Sequence, residues 1–343
     1  MSNPAGPINK VLESFRRLVP EDKAAVIACS GGADSMALLF CAQKTGRTLI
    51  VAHVLHDMRP YDEASKDRNL VQSYCESNGI HFVDKAARLR RGDKIPTEEA
   101  YGYERQRLLW AVANDYNGYV VTAHHADDQL ETMIMKLCRG SGLRGLSGIS
   151  ETHNHNDNIT VRPMLSISKD DVYEICRQNN VPFNEDQTNR DTKYTRNAIR
   201  HNVIPTLKAL FSNCSEKAND AAAIFSQAQE LANESLYDLK LHQKINIVYD
   251  PDWGGGGTCV TLPIEALQLA NNITIYEWLR SSVVYLVGGF EYVAHDSVNK
   301  EMVDKVIVAI RNRSKKTFDW PLNIKVSVSK TEVTVMIVKK VLP

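Results

Sequence analysis

Between Ala24 and Leu165, short β-rich runs alternate with stretches whose apolar residues recur at helical spacing, and no other feature limits the fold as tightly. The runs are AAVIAC, TLIVAHV, GIHFVD, GYVVTAH and NITVRPML. Strands this apolar need cover on both faces, and helices between successive strands supply it in a parallel sheet wrapped by helices. In such an α/β sheet, ligands collect beyond the carboxyl ends of the strands. The 343 residues exceed what one core usually serves. Residues 1–210 are expected to form the α/β domain, in which Ser168 to about Leu210 reads as helix, loop and helix punctuated by Pro182 and Pro205. Residues 211–250 are expected to be a helical linker, and 251–343 a small C-terminal α+β domain closing in the alternating strands LNIKVSVSK and EVTVMIVKK. The run Gly254–Gly257 reads as a flexible turn.

The composition, 43% apolar and 24% charged, is that of an ordinary globular protein. The opening MSNPAGPINKVLESFRRLVPEDK has neither the apolar core of a secretion signal nor the Arg-rich, acid-poor character of a transit peptide. No stretch approaches the roughly 20 apolar residues of a membrane span, so a cytoplasmic protein with no membrane partner is expected. Seven cysteines (Cys29, Cys41, Cys75, Cys138, Cys176, Cys214, Cys259) form no CxxC pair. That argues against a disulfide framework and against a zinc or iron-sulfur site. Net charge is zero, yet residues 211–300 carry five Lys/Arg against eleven Asp/Glu and residues 301–343 nine against four. The basic C-terminal stretch suits a polyanion contact, although a solvated charged face produces such a bias more often.

The strongest chemical signal is AVIACSGGADSMALLF: a buried strand, then Ser30-Gly31-Gly32-Ala33-Asp34-Ser35, then a helix. Two glycines let the backbone approach an anion, Ser30 and Ser35 offer hydroxyls, and the new helix aims its unpaired N–H groups at the same spot. A Walker A loop, GxxxxGK[ST], needs a lysine that is absent here. A Gly turn with an Asp/Ser cap is also the commonest way for a helix to begin. Asp34 is therefore the informative residue, since a carboxylate beside phosphates is repelled unless it holds Mg²⁺ or is hydrogen-bonded within the loop.

At the end of the second strand lies VAHVLHDMRP, with His53, His56 and Arg59, a weak signal alone. The fourth strand leads into TAHHADDQLETMIMKLCRGSGLRGLSG, where Asp127, Asp128 and Glu131 fall on the first turn of one helix. Three converging carboxylates suit a cation, Mg²⁺ or an ammonium. Acids favour helix N-termini in any case, but that preference does not account for His124-His125 before them or for Gly140, Gly142, Gly145 and Gly148 after.

In order and spacing, SGGADS, HVLHDMR, HHADDQLET with RGSGLRGLSG, RPML, EDQTN and RNAIRHNVIP resemble the tRNA(Ile)-lysidine synthetase family of the PP-loop ATP pyrophosphatase superfamily. The resemblance covers residues 24 to about 207. It continues more loosely through KKTFDWPLNIKVSVSKTEVTVMI, as in the family's shorter members that lack a further domain. It implies a PP-loop ATPase fold of the adenine nucleotide alpha hydrolase type for the catalytic domain, with tRNA contact from 251–343. It also implies a two-step reaction on the wobble cytidine of a minor isoleucine tRNA with a CAU anticodon. ATP adenylates the cytosine carbonyl oxygen at position 2 and releases pyrophosphate; the ε-amine of free L-lysine then displaces AMP. The implied cofactors are ATP and Mg²⁺, the partners tRNA(Ile) and lysine, with a homodimer one assembly open to it.

On the same resemblance, Ser30, Gly31, Gly32, Ala33, Asp34 and Ser35 would bind ATP together with His53, Arg59 and Gly140. Asp34, Asp127, Asp128 and Glu131 would be catalytic, with Asp34 and Asp127 as metal ligands; how the acids divide between lysine and metal stays open. Arg105, Arg162, Arg196, Asn197 and Arg200 would contact tRNA or AMP, a structural ion pair being an equal reading for the last three. One departure is EEAYGYERQRLLW, where the family's ARxxRY arginines correspond to Tyr103 and Gln106. A PP-loop tRNA thiolase would carry Lys where Ala33 stands and paired cysteines. Another PP-loop ligase would carry a glutamine-hydrolysing domain, and a non-catalytic tRNA-binding relative would not need the intact SGGADS and HHADDQLET strings.

Overall fold

Ala24–Ala28 forms β1, and its residues alternate between two apolar layers. Ala25 and Ile27 belong with Phe15, Met36, Leu39 and Ile175; Ala24 and Val26 belong with Leu109, Val112 and Ala113. A strand covered on both faces is apolar throughout, which is the pattern its sequence shows. The computed structural model describes residues 6–56, 61–87, 98–185, 195–250, 255–287 and 298–337. The chain separates into two compact units, Met1–Ser226 and Gln227–Pro343.

In the first unit β1 pairs in parallel with β2 (Leu49–His56) on one side and β4 (Gly118–Val121) on the other. β3 (His81–Ala87) lies beyond β2 and β6 (Asn158–Val161) beyond β4, also parallel. An antiparallel edge strand, β5 (Thr152–His155), completes the order β3-β2-β1-β4-β6-β5. Its exposed THNH has no apolar alternation, so no local pattern marks it as a strand. Helices α1 (Pro7–Leu18), α2 (Ala33–Gln43), α3 (Tyr61–Ser77) and α7 (Lys169–Gln178) supply one covering layer and α4 (Glu98–Asp115) the other.

From β1 the chain moves outward to β2 and β3, then returns to lay β4 on the opposite side of β1. Such a reversal opens a crevice at the carboxyl ends of the two strands. Both α2 and α5 (Ala126–Cys138) begin there, followed by α6 (Leu143–Leu146). Later, α8 (Thr195–Ala198) passes through a π turn, Ile199–Val203, into α9 (Ile204–Leu210). The expected long helix is α10, Cys214–Lys240.

The second unit is an antiparallel sheet, β7-β8-β11-β10-β9, built from β7 (Lys244–Asp250), β8 (Gly255–Pro263), β9 (Lys316–Trp320), β10 (Ile324–Val328) and β11 (Glu332–Ile337). Its apolar face, including Val260, Leu262, Val326 and Val335, packs with Trp278, Leu279, Val306 and Ile310 from α12 (Asn272–Leu286) and α13 (Lys300–Arg311). The short α11 (Ile264–Leu269) adds Leu267. The glycine run corrects the sequence reading. Gly255, Gly256 and Gly257 lie within β8, opposite Asp250, Tyr249 and Val248 of β7, rather than in a turn. A paired neighbour strand overrides the weak strand preference of glycine. Gly254 lies outside the described residues. Among the described residues no helix is long and apolar enough to cross a membrane.

Candidate active site

Beyond β1 the chain turns through Cys29–Gly32 into α2. Gly31 has φ +92°, and a Cβ there would sit 3.2 Å from the Asp67 carbonyl oxygen, so this turn needs glycine. The Asn184 backbone N–H donates to the Gly31 carbonyl at 3.0 Å while its side-chain amide donates to Asp67 at 2.8 Å, pinning the loop. Ser35 Oγ donates to the Gly32 carbonyl at 3.0 Å and accepts the Ser30 N–H at 3.2 Å, with Ser30 Oγ 3.3 Å away. Gly32, the N-cap, brings no side chain, so the first-turn N–H groups and the positive end of the helix dipole open onto the loop. Such an arrangement could cradle an anion, and the loop carries no lysine of its own.

The start of α5 buries Asp127 and Asp128 in its first turn and Glu131 one turn further on, rather than all three on the first turn as expected, and each carboxylate meets a cation from elsewhere in the unit. Glu131, 1% exposed, accepts from Arg196 Nε at 2.9 Å and from Arg200 Nε and Nη2 at 2.6 and 2.9 Å. Asp128 Oδ1 accepts from the same two guanidiniums at 3.3 and 3.1 Å, and its Oδ2 takes the His125 backbone N–H at 3.0 Å. Lys208 Nζ lies 2.6 Å from Asp127 and 3.0 Å from Asp170. Lys169 Nζ lies 2.5 Å from Asp34 Oδ1. Among the described residues, five carboxylates thus face four Lys or Arg cations.

His125 stands between loop and cluster. Its Nε2 is 3.5 Å from Asp34 Oδ1 and 3.4 Å from Asp128 Oδ2, and its buried Nδ1 has no hydrogen-bond partner. Burial alone would raise the Asp128 carboxyl, yet the charges of His125, His124 and Arg196 hold it below its ordinary range. At His124, burial and then the positive charges of Arg162, Arg196 and Arg105 push the imidazole down to about 4, against the pull of Asp128. Arg162 follows β6; its Nη1 donates to the Ser150 carbonyl at 2.6 Å, its Nε is buried without a partner, and burial brings it down to about 10. His53, midway along β2, sets Nδ1 2.8 Å from the Cys29 carbonyl oxygen, and burial lowers its pKa.

The family of PP-loop domains matches residues 6–207. The tRNA(Ile)-lysidine synthase of Nostoc sp. is 35% identical over 241 residues, covering 68% of this chain and 68% of that protein. The tRNA(Ile)-lysidine synthase of Bacillus licheniformis is 35% identical over 252 residues, 71% of this chain and 50% of that one. The chain belongs to the tRNA(Ile)-lysidine synthase family of PP-loop proteins. It spans about half the length of the Bacillus licheniformis relative and of one from Porphyromonas gingivalis, each matched over 50% of its length. Among solved structures, the U34-tRNA thiolase NcsA from Methanococcus maripaludis shares the fold, with a TM-score of 0.54 at 14% identity over 64% of this chain and 78% of that one.

In this lysidine synthase family member the residues expected from sequence sort by position. The fold gathers Asp34 of the loop with Asp128, Glu131, Arg196 and Arg200, while Asp127 meets Lys208 and the Lys169 backbone N–H, and Asn197 lies on α8 beside Arg196. Arg105 and Arg162 act on the same neighbourhood through His124. Gly140, at φ +71°, ends α5 on the far side from the acidic turn, about 20 Å along the helix axis. Arg59 and residues 186–189 of EDQTN lie outside the described residues. Gln106, where the family pattern has an arginine, donates to Thr160 Oγ1 at 3.0 Å beside the Trp110 indole, tying α4 to β6. Tyr103 is exposed. Sequence reasoning missed Lys169, Lys208 and Asn184. The one available signal was that Lys169 opens a helix directly after the RPML strand end.

Proposed function

We propose that this chain ligates lysine to the wobble cytidine of a CAU-anticodon isoleucine tRNA through an adenylated cytosine, ATP giving AMP and pyrophosphate. The observation that carries the reading is the meeting of the Ser30–Ser35 cradle with the acidic start of α5 at the β1/β4 crevice, with His125 between them. In the first step the cytosine oxygen attacks the α-phosphorus of ATP and the bond to the β-phosphate oxygen breaks. The serine hydroxyls and α2 N–H groups take the charge that develops on the departing pyrophosphate. In the second step the neutral lysine amine adds at carbon 2, the carbon–oxygen bond to AMP breaks, and the proton lost by nitrogen passes to a carboxylate of the cluster or to water.

Among the described residues no three His, Cys, Asp or Glu side chains converge into a preformed metal cage. Mg²⁺ is commonly held by one or two carboxylates and by phosphate oxygens; Asp34 and Asp127 would supply those carboxylates, and the metal would neutralise phosphate charge. Asp128 and Glu131 would hold Arg196 and Arg200 toward the AMP or a tRNA phosphate. Residues 301–343 would add a basic contact to tRNA. Sulfur delivery is disfavoured by the lack of a CxxC pair, and four of the seven thiols, Cys29, Cys41, Cys75 and Cys176, are pushed up to about 11 or 12 by burial. Mass spectrometry of nucleosides from tRNA(Ile) incubated with the protein, ATP, Mg²⁺ and lysine should show lysidine. Unchanged cytidine, or 2-thiocytidine, would refute the reading.

A further inference from the structure

The Ser30–Ser35 cradle offers hydroxyls and backbone N–H groups but no side-chain cation, although a departing pyrophosphate carries several negative charges. One ammonium waits at its mouth. Lys169 Nζ lies 2.5 Å from Asp34 Oδ1, and Asp34 sits in the first turn of the helix whose N–H groups open onto the loop. Three features fix the root of this lysine. Ser168, the N-cap of α7, donates from N and from Oγ to Asp171 Oδ2, both at 2.8 Å, and accepts the Asp171 N–H at 3.1 Å. Val172, Ile175 and Cys176 of α7 are buried in the same apolar layer as Ala33 and Ala37 of α2, with Cys176 Sγ donating to the Ala33 carbonyl at 3.6 Å. The Tyr173 ring lies 4.8 Å from the ammonium.

Two comparisons separate this lysine from an ordinary ion pair. Among the described residues, Arg196, Arg200 and Lys208 each hold two carboxylates, whereas the Lys169 ammonium holds one, Asp34. That pair is partly open to solvent, 27% and 38% exposed, so it adds little stability, and the apolar contact already binds α7 to α2. We propose that Lys169 is the cradle's missing cation, moving from Asp34 onto the pyrophosphate portion of bound ATP and remaining on pyrophosphate as it departs. The exchange leaves Asp34 free to take Mg²⁺, so resting loop and loaded loop are both charge-compensated. This rests on the nucleotide reading given above.

Calorimetry on the full chain tests it, with Mg²⁺-ATP, Mg²⁺-pyrophosphate and AMP as separate ligands. Lys169→Ala is expected to weaken ATP and pyrophosphate roughly 10- to 100-fold, the range for losing a charge-assisted contact, and to leave AMP within about twofold. Lys169→Arg should restore most of the loss. If Lys169→Ala does not fold, Lys169→Gln, checked by circular dichroism and melting, takes its place. Pyrophosphate and AMP weakened alike, or neither changed, would overturn the role of Lys169 while leaving the nucleotide site standing. A wild-type chain that binds neither ATP nor pyrophosphate would remove the nucleotide site and this role with it.

Discussion

Glu131→Gln separates two duties that the acidic cluster could perform. Glu131 is 1% exposed and accepts three hydrogen bonds from two guanidiniums at 2.6 to 2.9 Å. Glutamine keeps the shape and one acceptor oxygen but removes the charge, so each charge-assisted bond falls toward the strength of a neutral one, and a donor NH₂ is turned toward a cation. Losing the difference at two arginines would cost about 2 to 4 kcal/mol if both were buried. Their side chains are 41% and 33% exposed, and solvent screening brings the expected loss to about 1 to 3 kcal/mol. For a unit of this size each kcal/mol is worth roughly 2 to 4 °C in Tm. Because the arginines lose their anchor while Asp127 keeps Lys208, pyrophosphate release measured with ATP and tRNA but no lysine should fall at least tenfold, with the lysine requirement of the residual activity little changed. Wild-type pyrophosphate release with only a raised lysine requirement would show instead that Glu131 receives the substrate ammonium directly, and the positioning argument would be wrong.

Gly31→Ala should destabilise the protein by about 1 to 3 kcal/mol and abolish ATP binding, because φ +92° and the 3.2 Å approach to the Asp67 carbonyl leave no room for a methyl group; wild-type calorimetric affinity for ATP would refute it. The pH dependence has a definite sign. Folded His124 stays neutral down to about 4, while an unfolded histidine takes its proton near 6.5, so between those values the unfolded state binds more protons and stability falls as pH drops from about 6.5 toward 4. Urea melts across that range should give a steeper loss for wild type than for His124→Asn, and parallel curves would count against it. A fragment ending at Ser226 should keep ATP affinity within about threefold and bind tRNA more weakly, with a shallower salt dependence, since the basic excess of 301–343 is gone. Equal salt slopes for fragment and full chain would make that basic stretch a solvated surface.

The parts of this protein that were legible in the sequence are those set by near neighbours along the chain. The apolar runs that became β1, β2, β3, β4 and β6, the long α10, the glycine turn at Gly31 and the acids at the start of α5 all follow from periodicity or from a local backbone demand. Even this local reading had limits. The glycine run from Gly255 became strand because β7 supplied its hydrogen bonds, and the polar β5 became strand because β6 did. What the sequence could not state is which cation meets which carboxylate. Lys169 reaches Asp34 across 135 positions, and Arg200 reaches Glu131 across 69. The first pairing needs the chain to leave β1 for β2 and β3 and come back to lay β4 at its other side; the second needs the π turn after α8 to fold back onto α5. Periodicity is a property of adjacent residues, whereas the partner of a charge is fixed by where a crossover returns the chain, and only the assembled sheet decides that.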